Sequence, residues 1–320
     1  MNRTLKLGAM AVGLALATPL ASADTFVRMV SGPSGGSWYP LGAKIMQVMQ
    51  KEIKGVAASN GPGGGVGNVK EVSLGNAEIG WSYGHTAYNG YVGRGKFDKP
   101  YKDVRFFATL YPGVVQIAVP KNSSIKSIAD FSGKNISPGK AGWTGTAFAE
   151  TVLNAYDLSF DKIKQAGGTV HHVDYSDSVA LMKDGHIDVF LAVTSMPQAS
   201  FIDLNFKPGI RLVGIDPEKM KGIISSNPGV IATKIPKGTY EGMTSDVPTL
   251  ATATVMVVNK DLPDDLVYNM CKVFWKEHDT FVQVKKVWKE VKKEDALSAA
   301  AIPVHPGAER CYKELGVKKM

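Results

Sequence analysis

The 320-residue chain holds only two cysteines, Cys271 and Cys311, and six histidines. The cysteine spacing fits no metal motif. In an exported protein an even count permits one disulfide, tying the C-terminal tail to the preceding helix, with two buried free thiols as the alternative. Signatures of catalysis are just as scarce. There is no G-x-S-x-G elbow for a serine nucleophile, and no Gly-Lys-Ser/Thr phosphate loop. The densest glycine run is Asn60, Gly61, Pro62, Gly63, Gly64, Gly65, Val66, Gly67, Asn68. It fails the dinucleotide fingerprint: counted from Gly61 the last glycine position falls on Val66, and counted from Gly63 on Asn68. His171 and His172 with Asp174, or His186 with Asp188, come without a third ligand at helical or strand spacing, so neither reads as a metal centre. Beyond the N-terminal stretch no window reaches ~18 apolar residues, and no spanning helix is expected.

Acidic residues are the minority charge, 29 against 37 basic, for a formal net charge of +8. A nucleic-acid binder would concentrate that surplus on one face. Here Lys285, Lys286, Lys289, Lys292 and Lys293 sit on an expected exposed helix, which reads as a solvated face and not a nucleic-acid stripe. A positive surplus also raises the arrival rate of anions.

What is present begins with an export signal. Arg3 and Lys6 precede an apolar stretch over 7–20 and then Ala21, Ser22 and Ala23, a small-x-small cleavage pattern that starts the mature chain at Asp24. The remainder suits two domains of ~150 residues or fewer. A periplasmic location is expected.

Two stretches repeat one design. Residues 27–81 run from an apolar strand through Ser31, Gly32, Pro33, Ser34, Gly35, Gly36 and Ser37 into an amphipathic segment over 39–51, and end near Glu78 and Trp81. Residues 136–191 run through Pro138, Gly139, Gly142, Trp143, Thr144, Gly145 and Thr146 into a helical run, and end near Asp188 and Leu191. Gly75 and Gly185, like Glu78 and Asp188, are 110 residues apart. A repeat of that size means two similar lobes with a cleft between them. Each lobe offers a glycine-rich loop opening a helix, whose free N–H groups suit an anion.

Strand-like runs at 104–110, 114–119, 169–173, 210–213 and 251–258 alternate with helical ones, which argues an α/β architecture with largely parallel sheets. The runs 114–119 and 255–258 are expected to cross between lobes, giving 24–114 plus 261–320 as the first lobe, 115–260 as the second, and a hinge of two strands. Residues 263–293 read as the longest helix, with Pro263 in its first turn.

Several segments resemble one family in order along the chain. Gly35, Gly36, Ser37, Trp38, Tyr39, Pro40, Leu41, Gly42 resembles the G-G-x-Y-Y-P-x-G opening of the TAXI solute receptors of TRAP transporters. Gly63 to Asn68 looks like their T-G-G-S-x-x-N loop, and Thr144, Gly145, Thr146 falls on their G-S-G-T helix start. Ile235, Pro236, Lys237, Gly238, Thr239, Tyr240 and Asp246, Val247, Pro248, Thr249 resemble the I-P-x-G-x-Y and D-V-P-T segments. The resemblance implies a two-lobed, type II-like binding fold, a periplasmic monomer without cofactor or catalysis, TRAP membrane subunits as partners, and ligands such as glutamate and other dicarboxylates. The chain departs from the pattern at the expected site. The loop serine and threonine fall on Gly65 and Pro62, a strand-end glutamine on Tyr83, an aspartate on His85, a loop glycine on Trp143 and a histidine on Met196.

The expected ligand-binding residues are Gly35, Gly36, Ser37, Trp38, Tyr39, Gly64, Gly65, Tyr83, Trp143, Thr144, Gly145, Thr146, Ser195 and Gln198. In this reading glycine amides and the Thr146 hydroxyl hold a carboxylate, Trp38, Tyr39, Tyr83 and Trp143 wall the cavity, and Ser195 and Gln198 read a second polar group. That set suits a less polar or aromatic acid. The competing readings are a binding protein of an ABC importer, an exported hydrolase using His85, His171 or His186, and a sensory or adhesive antigen.

Overall fold

Among the described residues nine strands form one sheet, seven of them on a single path of hydrogen-bonded neighbours whose wings are parallel and whose centre is antiparallel. The computed structural model describes residues 25–33 and 35–317; the expected export signal and Ser34 lie outside them. The strands are β1 Thr25–Val30, β2 Val56–Gly61, β3 Ile79–Tyr83, β4 Val104–Pro120, β5 Ile136–Ser137, β6 Val189–Thr194, β7 Ile210–Leu212, β8 Val230–Ile235 and β9 Val247–Asn259. Their order is β2-β1-β3-β9-β4-β6-β5, with β7 on β4 and β8 on β9. The helices are α1 Trp38–Glu52, α2 Gly65–Ser73, α3 Gly84–Val92, α4 Thr144–Asn154, α5 Phe160–Gln165, α6 Tyr175–Lys183, α7 Ala199–Phe206, α8 Pro217–Ser226, α9 Asp264–Lys276, α10 His278–Val284 and α11 Pro306–Glu314. Among the described residues no helix is long and apolar enough to cross a membrane.

Burial explains the pattern. Every residue of β3 and β6 is buried, as expected where helices cover both sheet faces. In α1 Trp38, Leu41, Ile45, Val48 and Met49 recur at helical spacing and lie on the sheet. One aromatic cluster, with Trp81, Tyr111, Phe274 and Trp288, fills the half built by the two chain ends. A second, with Tyr175, Phe190, Phe201 and Tyr240, fills one face of the other half.

The 110-residue repeat is real geometry. Gly75 and Gly185 both have φ of +74°, turning the chain into β3 and β6 through a backbone region that glycine tolerates. Glu78 then accepts the Arg28 amide at 2.6 Å, and Asp188 accepts the Asn135 amide at 2.8 Å. The two acids do the same job, each tying the entry of its own strand to the backbone of the neighbouring segment.

Five expectations are corrected. The runs at 104–110 and 114–119 are a single strand, β4, despite Pro112 and Gly113. Its pairing with β9 is irregular between Phe106 and Ala108 and between Thr109 and Pro112, and such bulges bend a strand without ending it. The run 114–119 does not itself cross: Val114–Ala118 already pairs with β6, and Ile79–Tyr83 pairs with residues 254–258 of β9. The change of partner falls at Pro112–Val114 and Ala251–Ala253, which face each other. Residues 169–173 form only a bridge at Val170, because β5 offers two residues and Asp174 then caps α6. Residues 263–293 are not one helix. A straight helix would set Phe274 and Trp288 ~21 Å apart, whereas their rings lie 5.5 Å apart because the chain folds back after Glu277 and Lys285. Pro263 is the cap of α9 and not part of its first turn.

Cys271 of α9 and Cys311 of α11 are joined in a disulfide, with Cα atoms 6.3 Å apart. The bridge anchors the C-terminal helix to the half that begins the chain. The preceding segment returns to β4, where the Phe106 amide donates to Pro303 and Phe106 accepts from the His305 amide.

Candidate functional site

A cavity of about 20 Å³ lies where four helices begin. Its lining includes Ser37, Gly64, Tyr83 and Trp143, the residues that immediately precede α1, α2, α3 and α4. None of these four starts has a side-chain cap, and none has an acidic residue in its first turn. Apart from the Gly64 amide, which donates to the Asn68 side-chain oxygen at 2.9 Å, the N–H groups and positive dipole ends of these four starts are uncompensated by side chains. Among the described residues no charged side chain lines the cavity.

Both halves contribute to its walls. Gly64 lies against Trp143 so closely that a Cβ there would meet the indole Cδ1 at 1.9 Å. A Cβ on Gly65 would meet the Thr144 hydroxyl at 2.3 Å. Trp38 packs on Tyr83 with ring centres 4.9 Å apart, and Trp143 meets Tyr175 edge-on at 5.4 Å. Gly113 admits Tyr83 in the same way, since its Cβ would sit 2.3 Å from the Tyr83 ring.

Hydrogen bonds cross the cleft around this cavity. The Tyr83 hydroxyl donates to the Val193 carbonyl at 2.8 Å, and burial raises the Tyr83 pKa well above the usual phenol value, which keeps it a donor. Tyr83 and Val193 are themselves 110 residues apart, so the bond joins equivalent ends of β3 and β6. The Gly67 amide donates to Gly142 at 3.0 Å. Hydroxyls of Ser37 and Thr194 lie 3.2 Å apart, and those of Thr86 and Thr144 3.3 Å apart. At the rim Lys96 and Glu150 form an ion pair at 2.5 Å.

Of the expected residues, the structure brings Gly36, Ser37, Trp38, Gly64, Gly65, Tyr83, Trp143, Thr144 and Gly145 to one cavity. The others lie elsewhere. Thr146 turns back into its own loop, where its hydroxyl donates to Lys140 at 2.7 Å and to Pro138 at 3.2 Å. The Gln198 amide donates across the cleft to the Gly35 carbonyl at 2.5 Å, and its oxygen caps α7 through the Phe201 amide. Neither end of Gln198 is left to read a ligand. Ser195 is buried with its carbonyl held by Gln116, and Tyr39 points outward. Sequence reasoning missed Pro33, Tyr175, Val193 and Thr194. For Val193 a signal existed: it stands one repeat length after Tyr83.

The histidines have separate roles. His171 pairs with Thr169 at 2.8 Å and His172 with the Gly139 carbonyl at 3.2 Å. His85, second residue of α3, contacts Thr252 at 3.0 Å and Thr86 at 3.1 Å, and burial lowers its pKa to about 4.

Two α/β halves joined by two adjacent strands, with helix starts facing a shared cleft, define a two-lobed fold of the periplasmic binding protein type. A structure from Bordetella bronchiseptica RB50 has the same fold, with a TM-score of 0.54 at 14% identity over 91% of this chain and 98% of that one. The alkanesulfonate-binding protein SsuA of Xanthomonas axonopodis pv. citri, bound to MOPS, matches with a TM-score of 0.48 at 12% identity, over 92% of this chain and 85% of that one. The aliphatic sulphonate binding protein SsuA of Escherichia coli matches at 0.46 and 13% identity, over 90% and 78%. The chain belongs to the NMT1-like family, whose model matches residues 29–316.

Proposed function

We propose that this protein is an exported solute receptor that captures a small organic acid by lobe closure and delivers it to a membrane transporter. The observation that carries this reading is the convergence of four uncapped helix starts on one cavity without a cation. Amides of that kind bind an oxyanion without a positive side chain. The bonds across the cleft favour the closed form, and an acid bridging both sets of amides adds to them. Delivery to a TRAP-type secondary transporter rests on the ordered TAXI-like segments. The cavity has room for about one water molecule on the usual measure, so the lobes part to admit a solute.

The test is thermal unfolding of ligand-stripped protein against monocarboxylates, dicarboxylates, sulfonates, amino acids and neutral analogues. An acid at ~100 times its Kd adds about 2.7 kcal/mol of stability, and its amide or alcohol analogue adds none. Stabilisation by neutral solutes alone would overturn the reading.

A further inference from the structure

The wall that Trp143 makes has two sides. On one is the inner chamber of about 20 Å³. On the other is an open vestibule of about 320 Å³, whose lining includes Lys70, Lys96, Glu150 and His172. Trp143 lines both, and its ring is held at three places. Gly64 of the first lobe and Gly139 of the second leave room for it, with Cβ positions 1.9 Å and 3.0 Å from ring atoms, and Tyr175 meets it edge-on. The contact with Gly64 exists only when the lobes are together. Closure therefore fixes the indole as a partition between a chamber without charge and a vestibule with lysines.

Resting on the receptor reading above, we propose that Trp143 is the size and charge filter of the site, restricting it to compact monoacids of a few carbons. A bound acid lies inside the partition, between Trp38, Tyr83, Thr144 and Val193, and because the empty chamber has room for about one water molecule the lobes close round it only as far as its few heavy atoms allow. A long or aromatic tail there collides with the indole. A second carboxylate there faces rings and hydroxyls with no cation to pair it, and the lysines on the far side of the ring, Lys70 and Lys96, are themselves paired with Asp98 and Glu150. This departs from the dicarboxylates that the family resemblance implies.

The experiment is calorimetric titration of the mature chain with acetate, propionate, benzoate and succinate, for the natural protein and for Trp143→Ala, Trp143→Phe and Gly64→Ala. The natural protein binds acetate or propionate at least about 100-fold tighter than succinate or benzoate. Trp143→Ala joins chamber to vestibule and narrows that ratio by about 10-fold or more, with Trp143→Phe in between. Gly64→Ala fills the slot, weakens every acid and leaves the rank order unchanged. Tighter binding of succinate or benzoate by the natural protein would overturn the filter and leave the receptor reading standing. So would a Trp143→Ala variant that loses affinity uniformly, since the indole would then be only a closure contact. Failure of all four acids in every variant would remove the acid-receptor reading as well.

Discussion

Helix starts in this molecule follow two opposite rules. Away from the cleft, α5, α8 and α11 begin with Ser159, Asp216 and His305, whose side chains each accept a backbone amide, and each carries an acid in its first turn; α6 has both devices as well, Asp174 and Asp177, although its first residue Tyr175 lines the cavity. Even α9 and α10, which lack a side-chain cap, have Asp264, Asp265 and Asp279 at their starts. At the cleft, α1, α2, α3 and α4 have neither device. Four omissions in one place are a pattern. On the receptor reading proposed above, a cap there would satisfy the very amides that a bound anion needs, so stability is forgone where binding is required. Gln198, the cap of α7, marks the border, because it serves its helix and the opposite lobe together.

The largest test of this contrast concerns His85. Its imidazole stays neutral because closure buries it between Tyr83 and Phe148, ring centres 6.3 and 5.9 Å away, beside a cavity of about 290 Å³ lined also by Lys96 and Glu150. With its folded pKa lowered to about 4, the unfolded chain takes up the proton first. The corresponding stability is complete above the ordinary pKa of ~6.5 and falls by about 3 kcal/mol as pH drops towards 4. Urea unfolding at pH 7.5 and 4.5 should show that loss in the natural protein and a smaller one in His85→Gln; equal losses would mean the ring is not the titrating group. Next in size, Thr144→Asp supplies the missing acid at α4. Acid affinity should drop about 100-fold, near 2.7 kcal/mol, with no gain in stability for the unliganded protein, because a carboxylate at this buried position has no cation beside it. Unchanged affinity in a titration would mean that the cleft amides are not the anion seat. The smallest effect belongs to the outer set. Ser159→Ala should lower stability by about 1 kcal/mol and leave ligand affinity alone, so a loss of affinity would erase the distinction between the two groups.

Much of this was legible in the chain. The offset from Gly75 to Gly185 and from Glu78 to Asp188 reports two lobes because the same turn and the same strand-fixing carboxylate are needed twice. The glycines at 36, 64, 65 and 145 were readable as residues of one cavity because close backbone approach leaves a compositional mark, although the Gly36 and Gly64 amides are taken by Pro33 and Asn68. Side-chain commitments leave none. Gln198 and Thr146 look like ligand contacts in sequence, yet each is satisfied by protein atoms supplied by tertiary structure. Tyr175 stood next to the obvious cap Asp174 and entered the cavity only because α6 presents it to Trp143. The break after α9 was hidden for a related reason: apolar spacing in 263–293 continues across a fold-back that only the core of Trp81, Phe274 and Trp288 dictates.

The crossing strands carry a mechanical consequence. Pro112, Gly113 and Val114 are paired directly with Ala253, Thr252 and Ala251, so neither strand can bend without the other. Two bonded leaves share one pin. The lobes then have a single angle to vary, with sliding and twisting resisted by the ladder. Tyr83 packs on Gly113 at that pin, and the pair Lys96 and Glu150 lies farther out at the rim. One substitution at the pin would thus be read out at the rim as a changed opening, before any residue that touches the solute has been altered.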